Sequence, residues 1–191
     1  MFRFSHPPKA EIESFIEDQS QHQFSYSHIG LSMNGSPAGF NVDHNRIVIG
    51  SGESDFERAK ATIRSWEMFN FPWARLFWPS TPIEAGRTVA IVVKHVGFYS
   101  LNACRIVYTI DESDRFGFAY GTLPEHAETG EERFTVEFDR NSGVVTYDLF
   151  AFSKPNQVLA KLGYPLSRYL QKRFARESKA AMRRAVGTVL E

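Results

Sequence analysis

Between residues 56 and 66 apolar side chains recur at Phe56, Ala59, Ile63 and Trp66, the spacing that places them on one face of an α-helix. Ser54, followed three residues later by Glu57, has the form of a capping box, a feature worth about 1 kcal/mol to a helix start. A shorter helix is predicted over 9–18, where Ile12, Phe15 and Ile16 share a face and Pro7–Pro8 lead in. Elsewhere in the first 150 residues the period falls to two. Strands are predicted at 24–33, closed by the turn NGSPAG at 34–39, and at 43–49 through the apolar run RIVIG. Five more follow with little interruption, at 88–98, 105–110, 115–122, 132–139 and 144–152. Their separators are turn-forming, as antiparallel hairpins require. In the 115–122 strand Phe116, Phe118, Tyr120 and Thr122 take one face, and Gly117, Ala119 and Gly121 take the other. Large side chains would fill a core on the first side, while the small ones admit backbone or ligand on the second.

From Asn156 the helical period returns. Leu166, Leu170, Phe174, Ala181 and Ala185 form an apolar stripe, and Arg168, Lys172, Arg176, Lys179 and Arg183 form a basic one. Gly163 and Pro165 predict a break, so a short helix followed by a long one is expected across 156–191. The order of elements describes a single α+β domain spanning residues 1–191. Its antiparallel sheet needs an apolar face covered, and the amphipathic C-terminal segment suits that task.

Composition sharpens this picture in three places. Aromatic residues reach 14%, with 17 Phe and 3 Trp. Six of them, Trp66, Phe69, Phe71, Trp73, Phe77 and Trp78, crowd one Pro-containing connection, too many for an ordinary exposed loop. Acidic and basic residues balance at 22 each, yet residues 154–191 hold nine Lys or Arg against two Glu, a net of +7 that leaves −7 on residues 1–153. Attraction between the two within the fold is the first expectation, and contact with nucleic acid or anionic lipid the second. The single Cys104 excludes an intrachain disulfide and a multi-thiolate metal site, and its apolar run marks it as a core residue. The first residues show no apolar leader, and the longest aliphatic run, VAIVV at 89–93, is far short of a membrane span. A cytoplasmic chain with no integral membrane segment is expected.

Three stretches, IGSGESDFERAKATIRSWEMF (49–69), FGFAYGTLPEHAETGEERF (116–134) and FAFSKP (150–155), carry a resemblance. Together they resemble the uncharacterised domain-of-unknown-function family numbered nineteen-ninety. The most specific part is YGTLPEHAETGEE, whose Tyr120, Gly121, Thr122, Leu123, Pro124, His126, Gly130, Glu131 and Glu132 match the family's fixed letters. The resemblance implies the helix-grip superfamily, with START lipid-transfer domains and pollen-allergen-like proteins: a curved antiparallel sheet packed around a long C-terminal helix, enclosing a cavity. It implies no established activity.

Candidate chemistry falls into three classes. In the binding reading a small apolar or amphipathic molecule sits between sheet and C-terminal helix, gated by Trp66, Trp73 and Trp78, with polar contacts from His95, Tyr108 and Tyr120. The leading reading of the aromatic connection is a cap on the core, and the alternatives are the mouth of that cavity or a homodimer patch. In the enzymatic reading His126 acts as acid–base of a hydrolase, oriented by Glu131 or Glu132. The plainer reading of that loop is a solvated corner whose acids pair with the basic stripe. In the third reading the basic helix is an interaction surface. No nucleic-acid partner is expected, because no recognised binding motif accompanies the cations, and no cofactor or metal is expected. Gly50–Ser51–Gly52 lacks the Lys-Ser/Thr of a phosphate loop and reads as a helix lead-in.

Overall fold

The computed structural model describes residues 1–156 and 164–187. Eight strands make one antiparallel sheet: β1 (Phe2–Arg3), β2 (Asn41–Ser51), β3 (Ala74–Phe77), β4 (Thr88–Lys94), β5 (Tyr99–Asp111), β6 (Arg115–Thr122), β7 (Glu128–Asp139) and β8 (Val144–Pro155). The spatial order is β2-β8-β7-β6-β5-β4-β3, with β1 on β5. Strands β3 to β8 are therefore sequential neighbours, and β2 closes against β8 over its whole length. Three helices are described: α1 (Lys9–Ser20), α2 (Gly52–Arg64) and α3 (Tyr164–Gly187). The sheet curls into a half-barrel, and α2 and α3 pack into its inner face. Helix α1 lies outside, where Ile12 and Phe15 meet Ala90, Val92, Leu101 and Ala103 of β4 and β5.

Period-two alternation builds the inner core. Phe116, Phe118 and Tyr120 of β6 face Phe134 and Val136 of β7 and meet Phe56, Ile63, Met182 and Val186 from the helices. Phe118 stacks on Phe134 at 5.2 Å, and Trp66 meets Phe118 edge-on at 4.8 Å. On the outer face Gly121 has the expected use: a Cβ there would lie 2.1 Å from the Tyr26 hydroxyl. Only a missing side chain lets that segment lie on the sheet.

The helix stripe differs from the sequence expectation. Ala175, Ser178, Ala181, Met182 and Val186 are the buried positions of α3, whereas Leu166 remains 53% exposed. Small residues at 175 and 178 bring the helix close to β8, and Tyr147 Oη lies 2.9 Å from Ser178 Oγ, both groups fully buried. Tyr147→Phe strips that hydroxyl of its partner, so urea unfolding should show a loss of about 1–2 kcal/mol; a loss within error would mean the pair does not tether the helix.

Several boundaries also differ. Residues 24–33 form no strand; they make a loop ending in a 3₁₀ turn at Leu31–Met33, because their polar backbone groups find partners on β6 and β7 instead of a neighbouring strand. Helix α2 opens at Gly52 (φ 79°), two residues before the expected cap. Asp55 Oδ2 accepts the Ser51 amide at 2.7 Å, while Ser54 Oγ accepts Arg58 Nη1, so the Ser54–Glu57 box is not formed. Pro165 sits in the first turn of α3 rather than breaking it, a place where its missing N–H costs nothing. The short helix expected before it lies largely in 157–163, outside the described residues. Strands β1 and β3 were not expected, and β5 starts six residues earlier than the alternation indicated.

Candidate functional site

Along the first half of α3 the inner face is not filled. Ser100 and Asn102 of β5, Ala151 and Ser153 of β8 and Ala175 of α3 are short side chains where a closed core would carry long ones, and they leave a cavity of about 580 Å³. Phe69, Trp73, Ile91, Val93, Leu149 and Phe174 supply its apolar wall. Phe4, 94% exposed, and Leu166 line it while reaching solvent, so they mark its rim.

One side of the cavity is polar and acidic. Glu128 and Glu132, four residues apart on a regular stretch of β7, project from the same face as Phe134. The Tyr120 hydroxyl donates to Glu132 Oε2 at 2.7 Å. Burial pushes the Glu132 carboxyl up to about 7 against that hydrogen bond, and the nearby Asp43 adds to the rise. Burial likewise raises Glu128 to about 7, opposed by the Ser167 hydroxyl and by Arg168. Glu128 Oε1 is buried with no hydrogen-bond partner among the described residues. Asp43 of β2 is held by both terminal nitrogens of Arg168, at 2.6 and 2.8 Å.

Of the residues expected to hold a ligand, Trp73, His95 and Tyr120 line this cavity. Trp73 Nε1 donates to Glu177 Oε2 at 2.6 Å, which fixes the ring against α3, and Arg173 lies over it at 4.6 Å. His95 stacks on Phe98 at 4.4 Å with Nε2 2.9 Å from Ser100 Oγ, and burial lowers its pKa. The other three are elsewhere. Trp66 is in the solid core, its Nε1 donating to the Thr81 carbonyl at 2.8 Å. Trp78 sits beyond the end of β3 beneath Lys9. Tyr108 is on the outer face, its hydroxyl 2.7 Å from Ser32 Oγ. A bulge explains it: Ile106 pairs with Tyr120 but Tyr108 pairs with Ala119, so one extra residue turns Tyr108 away from the side its parity indicates.

The acidic loop is also taken apart. His126 lines the cavity, with Nδ1 3.0 Å from both the amide nitrogen and the carbonyl oxygen of Glu128; burial drives its pKa down to about 4. Glu132 faces inward. Glu131 also borders the cavity, but it is 2% exposed and its carboxylate faces outward, where it accepts Tyr26 Oη at 2.6 Å, the Gly30 amide at 2.8 Å, the Ser32 amide at 2.9 Å and the Ser32 hydroxyl. Glu131 is thus buried rather than solvated, His126, Glu128 and Glu132 are half-buried, Pro124 is exposed, and neither Glu131 nor Glu132 pairs with the basic stripe. That stripe instead sends Arg168 to Asp43 and Lys179 to Asn45 at 3.0 Å, leaving Lys172, Arg176 and Arg183 exposed.

Sequence reasoning passed over Ser100, Asn102 and Asp43 as site residues. The signal available was a run of polar residues at alternate positions, 100 and 102, entering an otherwise apolar strand. Cys104, next on that face, is fully buried, and burial holds its thiol well above the ordinary range. Among the described residues no three His, Cys, Asp or Glu side chains converge as a metal set, and no helix is long and apolar enough to cross a membrane.

Residues 25–181 match the family described as a domain of unknown function, DUF1990. A UPF0548 protein of Dictyostelium discoideum is 36% identical, with 98% of this chain and 97% of that protein covered. One from Deinococcus radiodurans is also 36% identical, with 98% and 100% covered. Among solved structures, the hypothetical protein jhp0584 from Helicobacter pylori superposes with a TM-score of 0.53 at 10% identity, covering 84% of this chain and 94% of that one. The di-domain ARO/CYC BexL from the BE-7585A biosynthetic pathway gives 0.52 at 16% identity, covering 83% and 53%. At such identities the likeness is one of fold: the helix-grip arrangement of a curled antiparallel sheet around a long C-terminal helix.

Proposed function

The chain belongs to the DUF1990 family, and from the cavity in its fold we propose that it binds a small apolar or amphipathic molecule between the sheet and α3. The observation that carries this reading is the unfilled volume of about 580 Å³, walled by aromatic and aliphatic side chains with a few convergent polar groups. Ligand pockets have that make-up, and a chain gains nothing in stability from leaving such a volume open. In this reading Trp73 and Phe174 contact the apolar body, and Tyr120 and His95 lie at its polar contacts. Trp66, Trp78 and Tyr108 take structural roles. A hydrolytic reading through His126 has less support, because Nδ1 faces the Glu128 backbone and Glu131 points to the opposite side of the sheet.

Native mass spectrometry of protein purified without detergent, followed by solvent extraction, tests the proposal. The expected result is a stoichiometric adduct, or, for protein that purifies empty, saturable binding of a neutral fluorescent probe such as N-phenyl-1-naphthylamine. A clean empty mass together with no saturable probe binding would overturn it.

A further inference from the structure

We infer that the molecule held in this cavity carries a cationic hydrogen-bond donor, a protonated amine, at its polar end, and that Glu128 and Glu132 receive it. The inference rests on the cavity being a ligand site and adds the chemistry of the head group.

The groups facing the polar side come from every element around it. Strand β7 contributes Glu128 and Glu132, β2 contributes Asp43, β6 contributes Tyr120, and the β6–β7 loop contributes His126. His95 belongs to the β4–β5 turn, Gln171 and Ser167 to α3, and Arg3 to β1. The cations of this set are committed: Arg3 binds the Glu11 carboxylate, and Arg168, beside Glu128, binds Asp43 through both terminal nitrogens. Burial keeps both imidazoles in their neutral form at neutral pH. What remains toward the cavity is acceptor-rich. Glu132 receives the Tyr120 hydroxyl, yet an ionised carboxylate has about four acceptor sites. Glu128 Oε1 has no donor among the described residues.

A buried carboxylate oxygen without a donor costs free energy that a bound donor recovers, and an ammonium recovers the most because it also supplies the opposite charge. A fatty-acid carboxylate placed there meets like charge and brings no donor. The aromatic wall of Phe69, Trp73 and Phe174 accepts an apolar chain in either case. Head-group selection therefore belongs to the two glutamates and tail retention to the wall.

Three amphiphiles with one tail separate these contributions: dodecylamine, dodecan-1-ol and dodecanoate, each used below its micelle concentration to displace N-phenyl-1-naphthylamine at about pH 8, where the amine is protonated. Dodecylamine is expected to bind about tenfold or more tighter than dodecanoate. In Glu128→Gln and Glu132→Gln the gap should shrink to about threefold or less, with dodecan-1-ol affinity retained as the control for an intact cavity. If all three bind and dodecanoate equals or exceeds dodecylamine, the head-group inference is overturned while the cavity reading stands. An amine preference unchanged in both variants overturns the assignment to these carboxyls. Displacement by none of the three overturns the cavity reading itself.

Discussion

Glu131→Ala is expected to cost the fold roughly 3–5 kcal/mol, the range for breaking a buried charged network from one side. The carboxylate is 2% exposed and accepts four donors, the Tyr26 hydroxyl, the Gly30 and Ser32 amides and the Ser32 hydroxyl. It does for the 24–33 loop what a neighbouring strand would do, satisfying backbone donors that are otherwise shut away from water. Alanine leaves those donors orphaned and opens a void beside Phe152. Glu131→Gln keeps an acceptor oxygen but presents an amide where donors converge, so its loss should be about 1–3 kcal/mol. Chemical unfolding monitored by tryptophan fluorescence measures both. Because Glu131 projects from the outer face, probe binding in the cavity should persist wherever Glu131→Ala remains folded. A loss below about 1 kcal/mol would show that the loop is held by other contacts.

Glu132→Gln should act in the opposite sense and only above mildly acidic pH. The ordinary carboxyl value is 4.5, and in the fold Glu132 stands at about 7. Below the lower value the group is protonated in both folded and unfolded chains and contributes no difference. As pH rises from there to about 7 the unfolded chain releases its proton while the folded chain keeps it, so stability falls across that window, and the loss is complete above it. The shift corresponds to about 3 kcal/mol. Glutamine never ionises and still accepts the Tyr120 hydroxyl. The variant should therefore match wild type near pH 4 and exceed it by about 3 kcal/mol near pH 8. His126, held low at about 4, imposes a slope of opposite sign, its stabilisation lost as pH falls through the 6.5–4 interval, and that slope cancels in the comparison of the two proteins. Equal stability of wild type and variant at both ends would mean the carboxyl is better solvated than its burial implies. On the proposed function, a carboxyl that lowers stability at neutral pH is accounted for by binding rather than by folding.

The meander was legible because its information is local. Residues 115–122 alternate large and small without a break, and β6 occupies that same span. The α2 face was legible for the same reason at period 3.6. The 24–33 segment misled because alternation describes any chain lying flat on a sheet, including a loop whose donors are met by Glu131. Tyr108 misled because parity carries along a strand only until a bulge, and nothing in RIVYTI marks the one between Ile106 and Tyr108. In the acidic loop the sequence brought His126, Glu131 and Glu132 together, but the pleat sent Glu131 and Glu132 to opposite faces.

The sequence by itself determined the class of fold, the family, and the need for a helix to cover an aromatic inner face, since these follow from periodicity and motif. Tertiary structure alone decided where that face is left unfilled. A cavity exists where short side chains from β5, β8 and α3, far apart in the chain, fall opposite one another. It also decided which carboxyls are buried: Glu128, Glu131 and Glu132 are the same residue type within five positions. Their different environments are set by strand pairing and by what packs on each side of the sheet.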